Sequence, residues 1–250
     1  MIHGPSGAER ARTLAYGVAG GSLAALGEAE VTLAAHVTDE QGVPLMLVPA
    51  ASPIVAALTA EPDLPATLRI SDLTPVPLAD RVRGRAWLHG WITEVPPESR
   101  REAAVRISRL HPRPDLLDLG ARIPAVEEWT ILALEVAEIE IEDVWGSAVV
   151  EPDEYADARP DPFVALEAGA IVHLDHAHRP ELAALVKARF GELEPDHVVR
   201  AVALNRFGLN VRCLAPGREP FDLRFAFDAP ARDLNGLRGA YRKLFATVNA

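Results

Sequence analysis

Hydrophobic and polar positions in the first 156 residues alternate mostly at period two. The runs Val31–Val37 and Val43–Val48 flank the turn Asp39-Glu40-Gln41-Gly42, which is a hairpin signal. Strand-like runs follow at 66–73, 82–95 and 129–144. The last sets Ile131, Leu132, Leu134, Val136, Ile139 and Ile141 against Glu135, Glu138, Glu140 and Glu142, so one face is buried and the other solvated. Helical spacing is rarer. Pro53 opens a short helix through Ile54, Val55, Ala57 and Leu58, with Ser52 as its N-cap. The arginine-rich run 97–119 repeats apolar residues at Ala104, Ile107 and Leu110, at spacing three. The apolar stretch Leu14–Leu26 follows Arg10 and Arg12 and has the outline of a secretory signal. Glu9 before it and Glu28 and Glu30 after it make a poor cleavage context, so the expected element is an N-terminal amphipathic helix ending at Gly27. Mostly strand with two or three helices predicts a β-barrel rather than a βαβ sheet.

The segment Asp157-Ala158-Arg159-Pro160-Asp161-Pro162 reads as a linker, and the periodicity changes after it. Helix is predicted from Phe163 to about His178, and a second helix carries Pro180 in its first turn and ends at Gly191. Strands at 198–204, 209–214 and 221–227 precede a helix from about Asp233 to Thr247. The expected fold is α+β in two domains, a barrel over 1–156 and an ααβββα unit over 163–250.

Composition narrows the chemistry. The chain has 250 residues, 49% of them hydrophobic, enough for a core without covalent staples. Its 36 Asp+Glu against 25 Lys+Arg give a formal charge of -11, the wrong sign for gripping nucleic acid or an anionic membrane surface. No run approaches the roughly 20 apolar residues that span a bilayer. Cys213 is the only cysteine, which excludes an intramolecular disulfide and a paired-cysteine metal knuckle and suits a reducing cytoplasm. Lys187 and Lys243 are the only lysines, so Schiff-base chemistry has little to draw on.

The densest cluster of reactive side chains is His173-Leu174-Asp175-His176-Ala177-His178. Three imidazoles and a carboxylate suit a metal or haem site, or a polar helix end that complements the helix dipole. On a continuous helix His173 and His178 are about 140° apart, so the helix must break before they meet. His36 and His89 fall in predicted strands, where alternation aims a ring at a pocket or at solvent. Arg81, Arg83 and Arg85 share one strand face, fit either for binding propionates or phosphate or for an ion-pair ladder. Gly17–Gly21 follows no strand and lacks the Lys-Ser/Thr ending of a phosphate loop. Ser6 and Ser22 lack a Gly-x-Ser-x-Gly context, and no catalytic triad assembles, so no catalytic residue is assigned.

Taken together, three stretches resemble a known arrangement. Residues 42–58 with Val82–Val95 look like the split barrel of the pyridoxamine-phosphate-oxidase superfamily. Leu132–Val144, Trp145-Gly146 and Val150–Tyr155 are similar to the last barrel strand and turn of its haem-handling, HugZ-type branch. The C-terminal unit resembles the domain of unknown function 2470 fused to that branch, with His173, Ala177 and His178 at its histidine motif and Asn205-Arg206-Phe207-Gly208 at its strand turn. The resemblance implies a homodimer with ligands at the dimer cleft, and haem as the ligand, which some members open oxidatively. The chain departs from the pattern in two places. Ala50–Leu58 carries no cation for a flavin phosphate, and Ile54, Val55 and Ala57 replace the His, Thr and Asn of the haem-degrading members. Leu244–Ala250 carries no histidine.

The functional expectation is binding of haem or a related tetrapyrrole by a cytoplasmic homodimer. The candidate iron ligands are His36, His173 and His178, with Arg83 and Arg85 for the propionates. Two alternatives stand beside it: an interaction module with a degenerate pocket, and a flavin- or deazaflavin-dependent oxidoreductase.

Overall fold

The computed structural model describes residues 4–119, 128–191, 194 and 196–246. Packing divides it into two units. The barrel unit comprises Ser6–Leu73 and Gly84–Pro160. The second unit takes the chain from Asp161 onward together with the excursion Thr74–Arg83.

The barrel unit opens with helix α1 (Gly7–Leu14). Ser6 accepts the Glu9 amide at 3.2 Å and the Glu9 carboxylate accepts the Ser6 amide at 2.9 Å, a reciprocal cap that starts the helix here. Gly17, at φ 122 and pressed against the His36 carbonyl, lies beyond its end. The predicted helix running to Gly27 is therefore replaced from Gly20 by strand β1 (Gly20–Ala25), which pairs with β5 (Leu64–Leu73) from Gly20–Ser71 to Ala25–Ala66. The small residues that looked helical give an edge-to-edge strand pair its close approach.

The remaining strands are β2 (Val31–Thr32), β3 (Ala35–Thr38), β4 (Pro44–Pro49), β6 (Val82–Glu94), β7 (Trp129–Asp143) and β8 (Gly146–Val150). They form one antiparallel sheet in the order β2-β1-β5-β6-β7-β4-β3, with β8 also on β7. The sheet curls into the half-barrel of a split-barrel fold. One strand, β7, carries most of the closure. It pairs with β6 along its length, while its other edge serves β4 through residues 129–133 and β8 through residues 139–143.

The unbroken apolar run in β4 follows from burial on both faces. Met46 and Val48 join Leu23, Leu68, Leu88 and Leu132 in one core, and Leu45 and Leu47 join Ile131 beneath helix α3 (Pro97–Leu110). Helix α2 (Pro53–Ala60) starts at Ser52 as expected, though the Ser52 side chain makes no capping bond. The run predicted as one helix over 97–119 is α3 and a short α4 (Asp115–Asp118), broken at His111. Helix α5 (Pro152–Asp157), which the sequence pattern did not predict, buries Tyr155.

In the second unit the order is α6 (Glu167–Ala177), α7 (Arg179–Phe190), β9 (Val198–Asn205), β10 (Gly208–Leu214), β11 (Phe221–Ala226) and α8 (Leu234–Ala246). The three strands form a sheet in the order β11-β10-β9, giving the expected ααβββα sequence. Thr247, at which the sequence places the end of the last helix, lies outside the described residues. Ile171, Leu174, Leu182, Leu185, Val211 and Leu237 fill the core, which Val76 of the excursion joins. No described helix is long and apolar enough to cross a membrane.

The β6–β7 pair slips register between His89 and Gly90, where Val136 and Glu138 are successive partners. A Cβ on Gly90 would overlap the Glu135 carbonyl oxygen, whereas one on Gly20 meets nothing within 4 Å. Gly90→Ala is expected to cost about 3 kcal/mol and Gly20→Ala about 0.5 kcal/mol or less, measured by urea unfolding. Equal costs would contradict the bulge geometry.

Candidate functional site

Helix α6 is held to its sheet through carboxylates at both ends. In its first turn, the Glu167 carboxylate accepts two bonds from Arg83, at 2.8 and 3.0 Å, and the Leu204 amide at 2.7 Å. In its last turn, Asp175 accepts two bonds from Arg200, at 2.6 and 2.8 Å, and one from Arg179 at 3.2 Å. Burial alone would raise the Asp175 pKa, but the two arginines outweigh it and hold the carboxyl below its ordinary value. The carboxylate of the histidine cluster is thus an anchor for the helix.

With Asp175 turned to the sheet, the exposed side of the helix end belongs to the imidazoles. The helix breaks at His178, whose backbone (φ -127, ψ 25) is no longer helical. That break meets the condition set by the 140° separation, about as expected from the helical repeat. The His173 and His178 rings lie edge to face with centroids 5.2 Å apart. Nδ1 of His178 lies 3.4 Å from the Glu181 carboxylate. This partner lowers the Glu181 pKa, after the larger effect of Glu181's own backbone. On its other side His178 stacks on Phe245, with centroids 6.1 Å apart and planes 19° apart. Phe245 stacks in turn on Tyr241 at 6.0 Å, and Tyr241 meets Phe227 edge-on at 5.7 Å. Burial, and secondarily the Glu167 charge, push the Tyr241 phenol up.

A column of aromatic rings therefore ends in two imidazoles. His173 is exposed and His178 is about one-third exposed. Tyr241 and Phe245 escaped the sequence reading because they lie some 65 residues downstream. Their spacing at i, i+4 on a helix is the signal that could have placed them on one face.

The other predicted residues have different surroundings. Arg83 belongs to the second unit, and its guanidinium serves Glu167 and the Val202 carbonyl at 2.9 Å. Arg85 is exposed on β6, opposite Glu142 of β7. His36 is 2% exposed in the barrel unit. Its Nε2 lies 2.9 Å from the Ala19 carbonyl, which can only accept, so this nitrogen carries the proton and Nδ1 is left with a buried lone pair. Burial lowers its pKa, the Ala19 bond opposes this, and the neighbouring His111 adds to the lowering, so the ring is neutral. His89 bonds the Thr67 hydroxyl at 2.9 Å and lies 3.7 Å from Glu140. Among the described residues no group of three or more His, Cys, Asp or Glu side chains could hold a bare metal ion.

No family model matches the chain. No curated protein matches it either. Solved structures do. A haem-binding protein from Mycobacterium smegmatis is similar over 99% of each chain, with 22% identity and a TM-score of 0.60. The Agrobacterium tumefaciens protein Atu2129, of unknown function, is similar over 98% of each chain with 14% identity and a TM-score of 0.44. An FAD- and haem-binding protein from Mycobacterium smegmatis matches 60% of this chain and 84% of its own, with 14% identity and a TM-score of 0.39. The first of these carries the fold.

Asp175→Asn removes the carboxylate from between two guanidiniums and is expected to cost roughly 3 kcal/mol of stability at neutral pH. The wild-type carboxyl is depressed in the folded state, so its contribution is present above the unfolded carboxyl pKa and is lost as pH falls through the folded one. The gap between wild type and variant should therefore be full at pH 7 and shrink below about pH 4 in urea unfolding series. A gap independent of pH would contradict the ion-pair account.

Proposed function

We propose that the chain binds haem or a related tetrapyrrole through His178, with His173 beside it, as a dimeric split-barrel protein of the HugZ-like kind. The observation that carries the reading is the setting of His178. Its Nδ1 faces a carboxylate, its ring is stacked on Phe245, and among the described residues no hydrogen bond is made to its Nε2. Metal-bound histidines are typically oriented in this way, by a carboxylate on the second ring nitrogen. A porphyrin supplies four nitrogens of its own, so one imidazole suffices and the lack of a three-ligand cluster among the described residues is no obstacle. A half-buried column of aromatic rings suits a flat apolar macrocycle. The similarity to a haem-binding protein over the full chain supports the same reading.

When bound, haem would supply a redox-active iron. The protein's part is to hold it: His178 would offer its ring nitrogen, Glu181 faces the opposite nitrogen, and Phe245 fixes the ring plane. Arg83, a propionate candidate from the sequence, is engaged with Glu167. The reading is one of binding. Helix α2 presents Ile54, Val55 and Ala57, and no side chain in its first turn is acidic or in its last turn basic.

Titration of the purified protein with haemin should give a sharpened Soret band that saturates near one equivalent per chain. His178→Ala should abolish the band or shift it to that of unligated haemin, and Glu181→Gln should weaken binding about tenfold. No saturable change, or an unchanged band in both His173→Ala and His178→Ala, would contradict the proposal.

A further inference from the structure

Helix α8 brings Tyr241 and Phe245 to the imidazoles, and its outer surface carries cations that the site above leaves unused. From residue 232 to 246 the chain holds Arg232, Arg238, Arg242 and Lys243 against the single carboxylate of Asp233. Four cations against one carboxylate leave three positive charges in excess, on a chain whose formal charge is -11. Asp233 caps the helix, accepting the Gly236 amide at 2.7 Å. All four cations are exposed, and among the described residues none of them forms an ion pair. Other arginines of the same unit are committed to carboxylates: Arg83 meets Glu167, Arg200 meets Asp175, and Arg212 meets Asp222 at 2.7 Å.

Helical geometry places two of the four beside the aromatic column. At the α-helical repeat Arg238 lies about 20° and Arg242 about 60° around the helix from Phe245, whereas Lys243 lies about 160° away. Buried Leu237 and half-buried Tyr241 occupy the other flank of Phe245, so this ring stands at the border between the packed face and the guanidinium face. The Arg242 side chain lies back along the helix, where its Nε donates to the Arg238 carbonyl at 3.4 Å and both of its amines stay open to a further acceptor. Phe245 also stacks on His178, with centroids 6.1 Å apart. One ring is therefore shared by the candidate iron ligand and by two guanidiniums a single helical turn apart, a spacing of about 5–6 Å between Cβ atoms.

We infer that Arg238 and Arg242 bind the two propionates of the tetrapyrrole held at His178, so that the site selects tetrapyrroles whose two acid side chains are free. The inference rests on the His178 reading and adds the recognition of the ligand's polar edge. In protoporphyrin the two propionates stand on adjacent pyrroles along one edge of an otherwise apolar ring. Guanidiniums take carboxylates in charge-assisted pairs, and one helical turn spaces two of them for two carboxylates. Glu181, on the Nδ1 side of His178, repels a carboxylate and so favours the edge toward α8. An esterified or amidated tetrapyrrole keeps the apolar ring and loses both charges, so the discrimination falls on this arginine pair.

Soret titration of the full chain with haemin and with haemin dimethyl ester at constant ionic strength tests the inference. Wild type should bind the free acid at least about tenfold more tightly than the diester, and the double variant Arg238→Gln/Arg242→Gln should lose about that factor for haemin and nothing for the diester. Glutamine keeps the helix propensity of these exposed positions, and circular dichroism checks that the fold is intact. Lys243→Gln removes the same charge from the far side of the helix and should leave the preference unchanged. At saturation the double variant should keep the wild-type Soret position, because the iron ligand is untouched, whereas His178→Ala should lose it. Equal affinities of wild type for the two ligands, a preference that survives in the double variant, or one that Lys243→Gln reduces as much, would overturn the inference and leave His178 as the ligand. Haemin binding that is absent, or indifferent to His178→Ala, would overturn the reading and the inference with it.

Discussion

Everything proposed for the histidine cluster depends on two carboxylates, one buried and one largely so, that fix helix α6. Glu167 and Asp175 stand eight residues apart, at opposite ends of the helix, and each is met by an arginine from outside it. A buried carboxylate without such a partner costs several kcal/mol, so the helix has one favourable position and rotation on the sheet. That rotation turns Asp175 inward and leaves His173 outward. The break at His178 then brings the second imidazole beside the first. Charge pairing on the inner face thus positions the imidazole rings on the outer one.

The barrel unit rests on a different constraint. Strand β7 supplies ladder partners to β6, β4 and β8, and its two halves do so on opposite stretches of one edge. This works only because the strand is 15 residues long and because the bulge opposite Gly90 absorbs one residue of mismatch against β6. Its first half is buried on both faces, where Ile131 meets helix α3 and Leu132 meets the barrel interior. Its second half alternates with glutamates at 138, 140 and 142 that face solvent. The same strand explains both the continuous apolar run and the alternating one.

Much of this was legible in the sequence because it is written in periodicity. The hairpin around Asp39–Gly42, the strands near 66–73, 82–95 and 129–144, and the ααβββα order all follow from local pattern. The segment after Leu14 was misread because its glycines and alanines satisfy a helical pattern as readily as a strand pattern. The decision lay in nonlocal pairing with β5 and in the cap at Ser6. For the site, the histidine cluster was visible, and so was the need for a helix break. What each neighbour does was not. Pattern leaves Asp175 open between a ligand and part of a polar helix end, and Arg83 open between propionates and an ion pair; the bonds to Arg200 and Glu167 decide both. His36 is a buried neutral ring whose Nε2 proton is given to Ala19, a role that no spacing announces. Phe245 and Tyr241 join the site only through the tertiary fold.

The most direct test of the central claim is a crystal structure of the protein grown with haemin. The account predicts iron bonded to a ring nitrogen of the imidazole pair, with Nε2 of His178 toward the metal, Nδ1 still facing Glu181, and Asp175 still paired with Arg200. Iron bound elsewhere on the chain, or haemin absent from crystals grown at saturating concentration, would contradict it.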